Sequence, residues 1–154
     1  MAVKIRKATE NDLERILDLA NQVREFHIRI EPEIFIPMNR EKFRELYKGY
    51  MSDEKFLFLV AEQGADVMGY LYAEFGGESL YTSPRGCVLT EIGVDESFQS
   101  AGTGRILFDA LKTECDNRDC KKIELSVYLA NTRAVDWYDK IGFRKVMAKM
   151  ILKL

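Results

Sequence analysis

Where "CVLTEIGV" runs into "DESFQSAGTGRILFDAL", the chain passes from a β-prone strand to an amphipathic helix through Gly102, Thr103 and Gly104. This junction constrains the fold most, because it sets a strand and a helix in adjoining layers. The first N–H groups of such a helix have no partner within it and carry partial positive charge, so they can hold a phosphate. Glycine there allows positive φ and close approach of a ligand. Two known phosphate loops do not fit. No Gly-Lys-Ser/Thr follows, which excludes a P-loop. The third glycine of a dinucleotide-binding turn is missing, and the motif follows an antiparallel hairpin in the second half of the chain. From the turn alone, a plain glycine turn that merely starts a helix stays open.

The surrounding pattern gives the element order. "VKIRKA" alternates as a strand does. Thr9, with Asp12 three residues on, caps a helix expected to end near Phe26. "RIEPEIFIP" reads as a link. A second helix from Asn39 places Phe43, Leu46, Tyr47, Tyr50 and Met51 on one face. "KFLFLVAEQ" and "GYLYAEF" form an antiparallel hairpin over 55–76, turned by "GADVMG". After the polar loop "GESLYTSPRG" and the strand "CVLTEIGV", the next helix buries Ile106, Leu107, Ala110 and Leu111. "KKIELSVYL" reads as a strand. "NTRAVDWYDKIG" reads as a short helix with Asn131 as cap and Gly142 as stop. The tail "FRKVMAKMILKL" is expected to give one or two closing strands. The order βααββ then βαβαβ implies an α/β (α+β) fold, a mixed central β-sheet flanked by helices, in one domain over 1–154.

A chain of 154 residues suits one domain. At 47% hydrophobic and 31% charged it is a globular composition. Its net charge of -2 does not suggest a nucleic-acid partner. No apolar run suits a signal peptide or a membrane span, so no membrane role and a cytoplasmic location are expected. Cys87, Cys115 and Cys120 form no CxxC, and His27 is the single histidine, so neither a metal site nor a Ser-His or Cys-His triad is expected. The cysteines read as small apolar fillers.

Two blocks then agree. "VDESFQSAGTG" fits Gln/Arg-x-x-Gly-x-Gly with Gln99, Gly102 and Gly104, after a strand ending at Val94. "LSVYLANTRAVDWYDKIGF" supplies a strand, Asn131, Ala134, Tyr138 and Gly142-Phe143. In this order and separation they resemble the GNAT superfamily of acetyl-coenzyme A-dependent N-acetyltransferases. The specific motifs lie within 88–143. The chain departs from many members at Glu96, where they carry Pro, at Gln99, where they carry Arg, and at Ser100, where they carry Gly.

The resemblance implies a GNAT-like acyl-CoA N-acyltransferase fold that uses acetyl-coenzyme A and an amine acceptor. N–H groups from Gln99 through Ser100, Ala101, Gly102, Thr103 and Gly104 to Arg105 would cradle the diphosphate. The pantetheine arm would pair with Ile92, Gly93 and Val94, where a main-chain N–H would face the acetyl carbonyl. Asn131 and Ala134 would flank the arm, and Asn131 also reads as a plain helix cap. Tyr138 would protonate the leaving thiolate; its other reading is a core aromatic beside Ala134, Trp137 and Ile141.

Glu91 is the candidate base. A carboxylate in the apolar strand "VLTEIGV" must face a cleft, meet a cation or face solvent. Alternation puts it opposite Ile92 unless a bulge intervenes. His27 would edge the acceptor pocket as a base or specificity contact, or simply end its helix. Glu25, Glu31, Glu33 and Glu74 near the presumed pocket edge would suit a cationic amine. The apolar "MILKL" could pair as an edge strand with a second copy, giving a homodimer. The reading from another class is a non-catalytic acetyl-coenzyme A-binding sensor or interaction module.

Overall fold

The hairpin expected at 55–76 anchors the sheet. A computed structural model of the chain describes residues 2–76, 86–99 and 101–154. The loop 77–85 and Ser100 lie outside the described residues. β2 (Phe56–Gln63) pairs antiparallel with β3 (Asp66–Phe75), with Leu59 opposite Leu71. β1 (Lys4–Lys7) adds to β2 and β4 (Cys87–Val94) to β3, both antiparallel. β5 (Ile123–Glu124) joins β4 in parallel, through Cys87 opposite Ile123 and Val88 opposite Glu124. The result is a mixed sheet in the order β1-β2-β3-β4-β5. Its helices are α1 (Leu13–Ile30), α2 (Arg40–Ser52), α3 (Thr103–Asn117) and α4 (Thr132–Lys140).

The apolar run "FLFLVA" is buried on both faces because helices cover both. Leu57, Leu59, Leu71 and Ala73 point to one side and pack with Leu107, Phe108, Leu111 and Cys115 of α3. Phe58, Val60, Tyr70 and Tyr72 point to the other and pack with Ile16, Leu17 and Ala20 of α1 and Tyr47 of α2. Of the expected helix faces, Leu46 and Ile106 fall outside, at 41% and 38% exposed. The 3.6-residue period rotates both to the rim.

Four more expectations are corrected. α1 runs past Phe26 to Ile30, so His27 sits in its last turn and not in the link. β3 begins at Asp66, so most of "GADVMG" belongs to the strand. The strand expected over "KKIELSVYL" shrinks to β5, because beyond Glu124 the chain parts from β4. The tail forms no strand, since 143–154 pairs with no edge among the described residues. The cysteines are free: Cys87 and Cys115 are buried, and Cys120 is half-buried.

The entry to α1 shows how local sequence and tertiary contact combine. Thr9 N–H and Oγ1 donate to Asp12 Oδ2 at 2.8 and 3.0 Å, ahead of the helix. Arg6 on β1 grips the same carboxylate with two bonds of 2.8 Å and donates to Glu62 on β2 at 2.6 Å. The Arg6 guanidinium holds the Asp12 carboxyl down to about 2. A depressed carboxyl contributes stability above its unfolded pKa, lost as pH falls through the folded one. Asp12→Asn is therefore expected to cost ~2 kcal/mol at neutral pH. Urea unfolding should show this deficit closing as the pH approaches 2.

Candidate active site

Parting of β4 from the chain beyond β5 opens a cleft of about 980 Å³. Thr90, Glu91, Ile92, Gly93 and Val94 form one wall and Ser126, Val127 and Tyr128 the other. Asp95 N–H donates to Met68 O on β3 at 2.8 Å. Backbone groups alternate sides along a strand, so the N–H groups of Val94 and Ile92 face the open side. Asp95 itself is pinned by Arg15 of α1 at 2.7 Å and caps the next turn through Ser97 N–H at 2.8 Å. These contacts hold the end of β4 and the start of the glycine turn in fixed relation.

At one end of the cleft stand Gln99, Gly102, Thr103, Gly104 and Arg105. Gly102 adopts φ +83, and a Cβ there would meet nothing within 4 Å. The space in front of the helix start is thus open to a ligand, as an anion-binding turn requires. Thr103 is 1% exposed and its Oγ1 has no hydrogen-bond partner among the described residues. Gln99 accepts from Arg133 at 2.7 Å and donates to Val94 O at 3.3 Å, tying the turn to α4 and β4. Ala101 lies in the turn but not on the cleft wall. Asn131 caps α4 by accepting from Ala134 N–H at 3.2 Å, and both line the cleft beside Tyr138.

A bulge decides where Glu91 points. Tyr72 lies opposite Glu91 but Ala73 opposite Leu89, so Thr90 is an extra residue in β4. Before it, Cys87 and Leu89 face α3; after it, Ile92 and Val94 do. Without the bulge Glu91 would point into the α3 core. With it, Glu91 crosses to the face of α1 and α2 and meets two tyrosines. Tyr47 Oη donates to Glu91 Oε1 at 3.3 Å, and Tyr70 Oη makes a shorter bond to the same atom. Gly93 leaves room for this: a Cβ there would stand 2.6 Å from Tyr70 Cε1 and 2.9 Å from Val23 Cγ2. Burial raises the Glu91 carboxyl above its usual range, while the tyrosine bonds and the Arg24 charge oppose the rise.

Tyr138 faces the same cleft, and burial alone pushes its phenol up to about 12. The other end of the cleft is aromatic. His27 stacks on Phe35 at 4.8 Å, and Phe35 meets Tyr128 edge-on at 4.7 Å, so α1, the link and the far wall touch. Burial holds the His27 imidazole below its usual range. Arg24 lies over Phe35 and Phe43, 5.3 and 5.4 Å from their ring centres.

None of Glu25, Glu31, Glu33 and Glu74 lines this cleft, and Glu74 pairs with Lys55 instead. An acidic acceptor edge built from those four is therefore not present. Sequence reasoning missed Tyr47, Tyr70, Arg24, Phe35 and Tyr128. Tyr70 and Tyr72 alternate onto one face in "GYLYAEF", a usable signal. The approach of Tyr47 to Glu91, 44 residues apart, leaves no local mark. Among the described residues no cluster of three or more His, Cys, Asp or Glu could hold a metal ion. No helix there is long and apolar enough to cross a membrane.

Known proteins share this architecture. The model of the acetyltransferase (GNAT) family matches residues 17–143. An N-alpha-acetyltransferase of Sulfurisphaera tokodaii is 28% identical over 143 residues, covering 82% of this chain and 85% of that protein. The solved structure of a tetramutant of the BH1408 protein from Bacillus halodurans superposes with a TM-score of 0.86. It is 27% identical, and the match covers 98% of this chain and 99% of that one. The aminoglycoside N-acetyltransferase AAC(6')-Iy, solved in complex with CoA, has the same fold with a TM-score of 0.80 at 16% identity. That match covers 99% of this chain and 95% of the other.

Proposed function

Because the chain belongs to the GNAT family of acetyltransferases, we propose that it moves an acetyl group from acetyl-coenzyme A to a primary amine, on a small molecule or a protein, by direct attack. One observation carries this reading: the bulged β4 brings a half-buried carboxylate, open backbone N–H groups and the glycine turn into one cleft.

The donor fits the residues present. The Gly102 turn offers unhindered N–H groups to a diphosphate, and the orphaned Thr103 hydroxyl lies beside them. Ile92 and Val94 N–H groups offer strand-like pairing to the pantetheine amides and a donor to the carbonyl oxygen as negative charge develops there. An alkyl ammonium of pKa ~10.4 is no nucleophile, so the amine must lose a proton first. Glu91 is the base for that step, directly or through a water. Its raised pKa makes it a stronger base than an exposed carboxylate. Tyr138, at about 12, stays protonated at neutral pH. Full transfer to a thiolate of pKa near ~8.5 would be uphill, so its contribution is a hydrogen bond to the sulfur as charge builds. The aromatic end with Arg24 receives the acceptor, and a guanidinium there disfavours a polycationic one.

The test combines binding with turnover. Saturating acetyl-coenzyme A should raise the melting temperature by several degrees, since ligand at a hundredfold its Kd adds ~2.7 kcal/mol. Gly102→Asp should abolish the shift, because a carboxylate would repel the diphosphate. Gly102→Ala bears the same backbone strain without the charge and should keep part of it. A full shift in folded Gly102→Asp would place the donor elsewhere. Thiol release over a panel of amines then decides between enzyme and module: binding without any turnover would favour the sensor reading.

A further inference from the structure

We propose that Arg24 holds a carboxylate of the acceptor, so that the substrate is a small amine bearing both a carboxylate and an aromatic body, an amino acid in chemical class. The inference rests on the acetyl-transfer reading above, because it takes Glu91 as the group that meets the amine. α1 carries three arginines. Arg15 pairs with Asp95 at 2.7 Å and Arg29 with Glu96 at 3.7 Å. Arg24, between them, pairs with no carboxylate among the described residues. It is half-buried on the cleft wall, over the rings of Phe35 and Phe43. Those rings attract its charge, yet neither offers an oxygen to its five N–H donors. A guanidinium set into a cleft with its donors unused suits a carboxylate, whose two oxygens match its fork.

The surroundings supply the rest of the ligand's shape. His27 is uncharged at neutral pH, because burial holds its imidazole below 6.5. Phe26, Phe35, Met38, Phe43 and Tyr128 line the same end and present apolar or aromatic surface. The acid nearest to this end is Glu91, on which the Arg24 charge acts without forming an ion pair. The other lining acids, Glu96 and Asp136, lie past the end of β4 and on α4. A cation and a carboxylate thus stand apart over an aromatic floor. A zwitterionic amine complements all three: its ammonium meets Glu91, its carboxylate meets Arg24, and its ring lies against Phe35 and Tyr128. An acceptor without the carboxylate would displace water from Arg24 and leave its donors unmatched, which is how such a site discriminates.

Matched pairs of acceptors test this. Phenylalanine and its carboxamide place the distinguishing group next to the amine; para-aminomethylbenzoate and its carboxamide place a ring between them. In at least one pair the acid should be preferred in kcat/KM by ~10-fold or more, the worth of a charge-assisted hydrogen-bonded contact. Arg24→Gln should erase that preference, and Arg24→Lys, which keeps the charge but not the fork, should keep part of it. Loss of the Arg24 charge also acts on Glu91, but alike for both members of a pair, so the ratio reads the carboxylate contact alone. Calorimetry with coenzyme A present, where no transfer can occur, should show the same preference in Kd and the same loss. Turnover of amines with no preference for either acid would overturn the proposal and leave acetyl transfer standing. A preference that survives in folded Arg24→Gln would overturn it too. Tight binding of an acid that depends on Arg24, with no amine turned over, would support the carboxylate site and sink the acetyl-transfer reading instead.

Discussion

Glu91→Gln is expected to lower the rate of acetyl transfer at neutral pH by ~10²–10⁴, the usual worth of a positioned general base. Gln keeps an oxygen that can accept from Tyr47 and Tyr70, so the bulge and its contacts survive the change. The loss should depend on pH in a defined way. It should be greatest where Glu91 is ionised but the acceptor is still an ammonium. It should shrink as the pH approaches the amine's own pKa of ~10.4 and free amine becomes abundant. The same substitution should affect stability with the opposite sign. A carboxyl whose folded pKa is raised contributes stability that is complete below its unfolded pKa and lost as the pH rises through the folded value. Relative to Glu91→Gln, the wild-type protein should therefore lose stability as the pH rises from ~4 through the raised folded value. Rates equal to wild type from low to high pH would remove Glu91 from the reaction. A stability difference that does not change with pH would contradict its raised pKa.

Tyr138→Phe is expected to lower kcat by ~10²–10³, the cost of losing one donor aimed at developing charge. The ring packs against Trp137 and Phe143, and phenylalanine keeps both contacts, so melting temperature should barely change. Because the bond to sulfur strengthens only as the thioester breaks, the loss should fall on kcat more than on KM. Raising the pH should not mimic it, since the phenol stays protonated up to about 12. A folded variant with kcat within about threefold of wild type would return Tyr138 to a packing role.

Much of this architecture is legible locally. Thr9 and Asp12, the Asn39 and Asn131 caps and the alternating hairpin at 55–76 each depend on a few neighbouring residues, and each formed. The Gly102 turn is legible for the same reason, because positive φ and an open helix start are properties of adjacent residues. The orientation of Glu91 is not. It depends on one extra residue, Thr90, against the β3 ladder, and a shift of one residue exchanges the two faces of a strand. Nor do its hydrogen-bond donors announce themselves, since Tyr47 and Tyr70 reach it from separate elements.

The two ends of the chain's second half show where the boundary lies. "KKIELSVYL" and "FRKVMAKMILKL" both carry strand patterning, and that patterning correctly records which side chains are apolar. Whether a segment becomes a strand depends on a partner for its backbone, which only the tertiary arrangement supplies. Beyond Glu124 the chain leaves β4, and that parting makes the cleft. Periodicity, capping and glycine placement were thus determined by the sequence itself, because they rest on contacts a few residues apart. The flip of Glu91, the aromatic closure by His27, Phe35 and Tyr128, and the shortening of β5 to two residues were decided only in three dimensions, by contacts between distant segments.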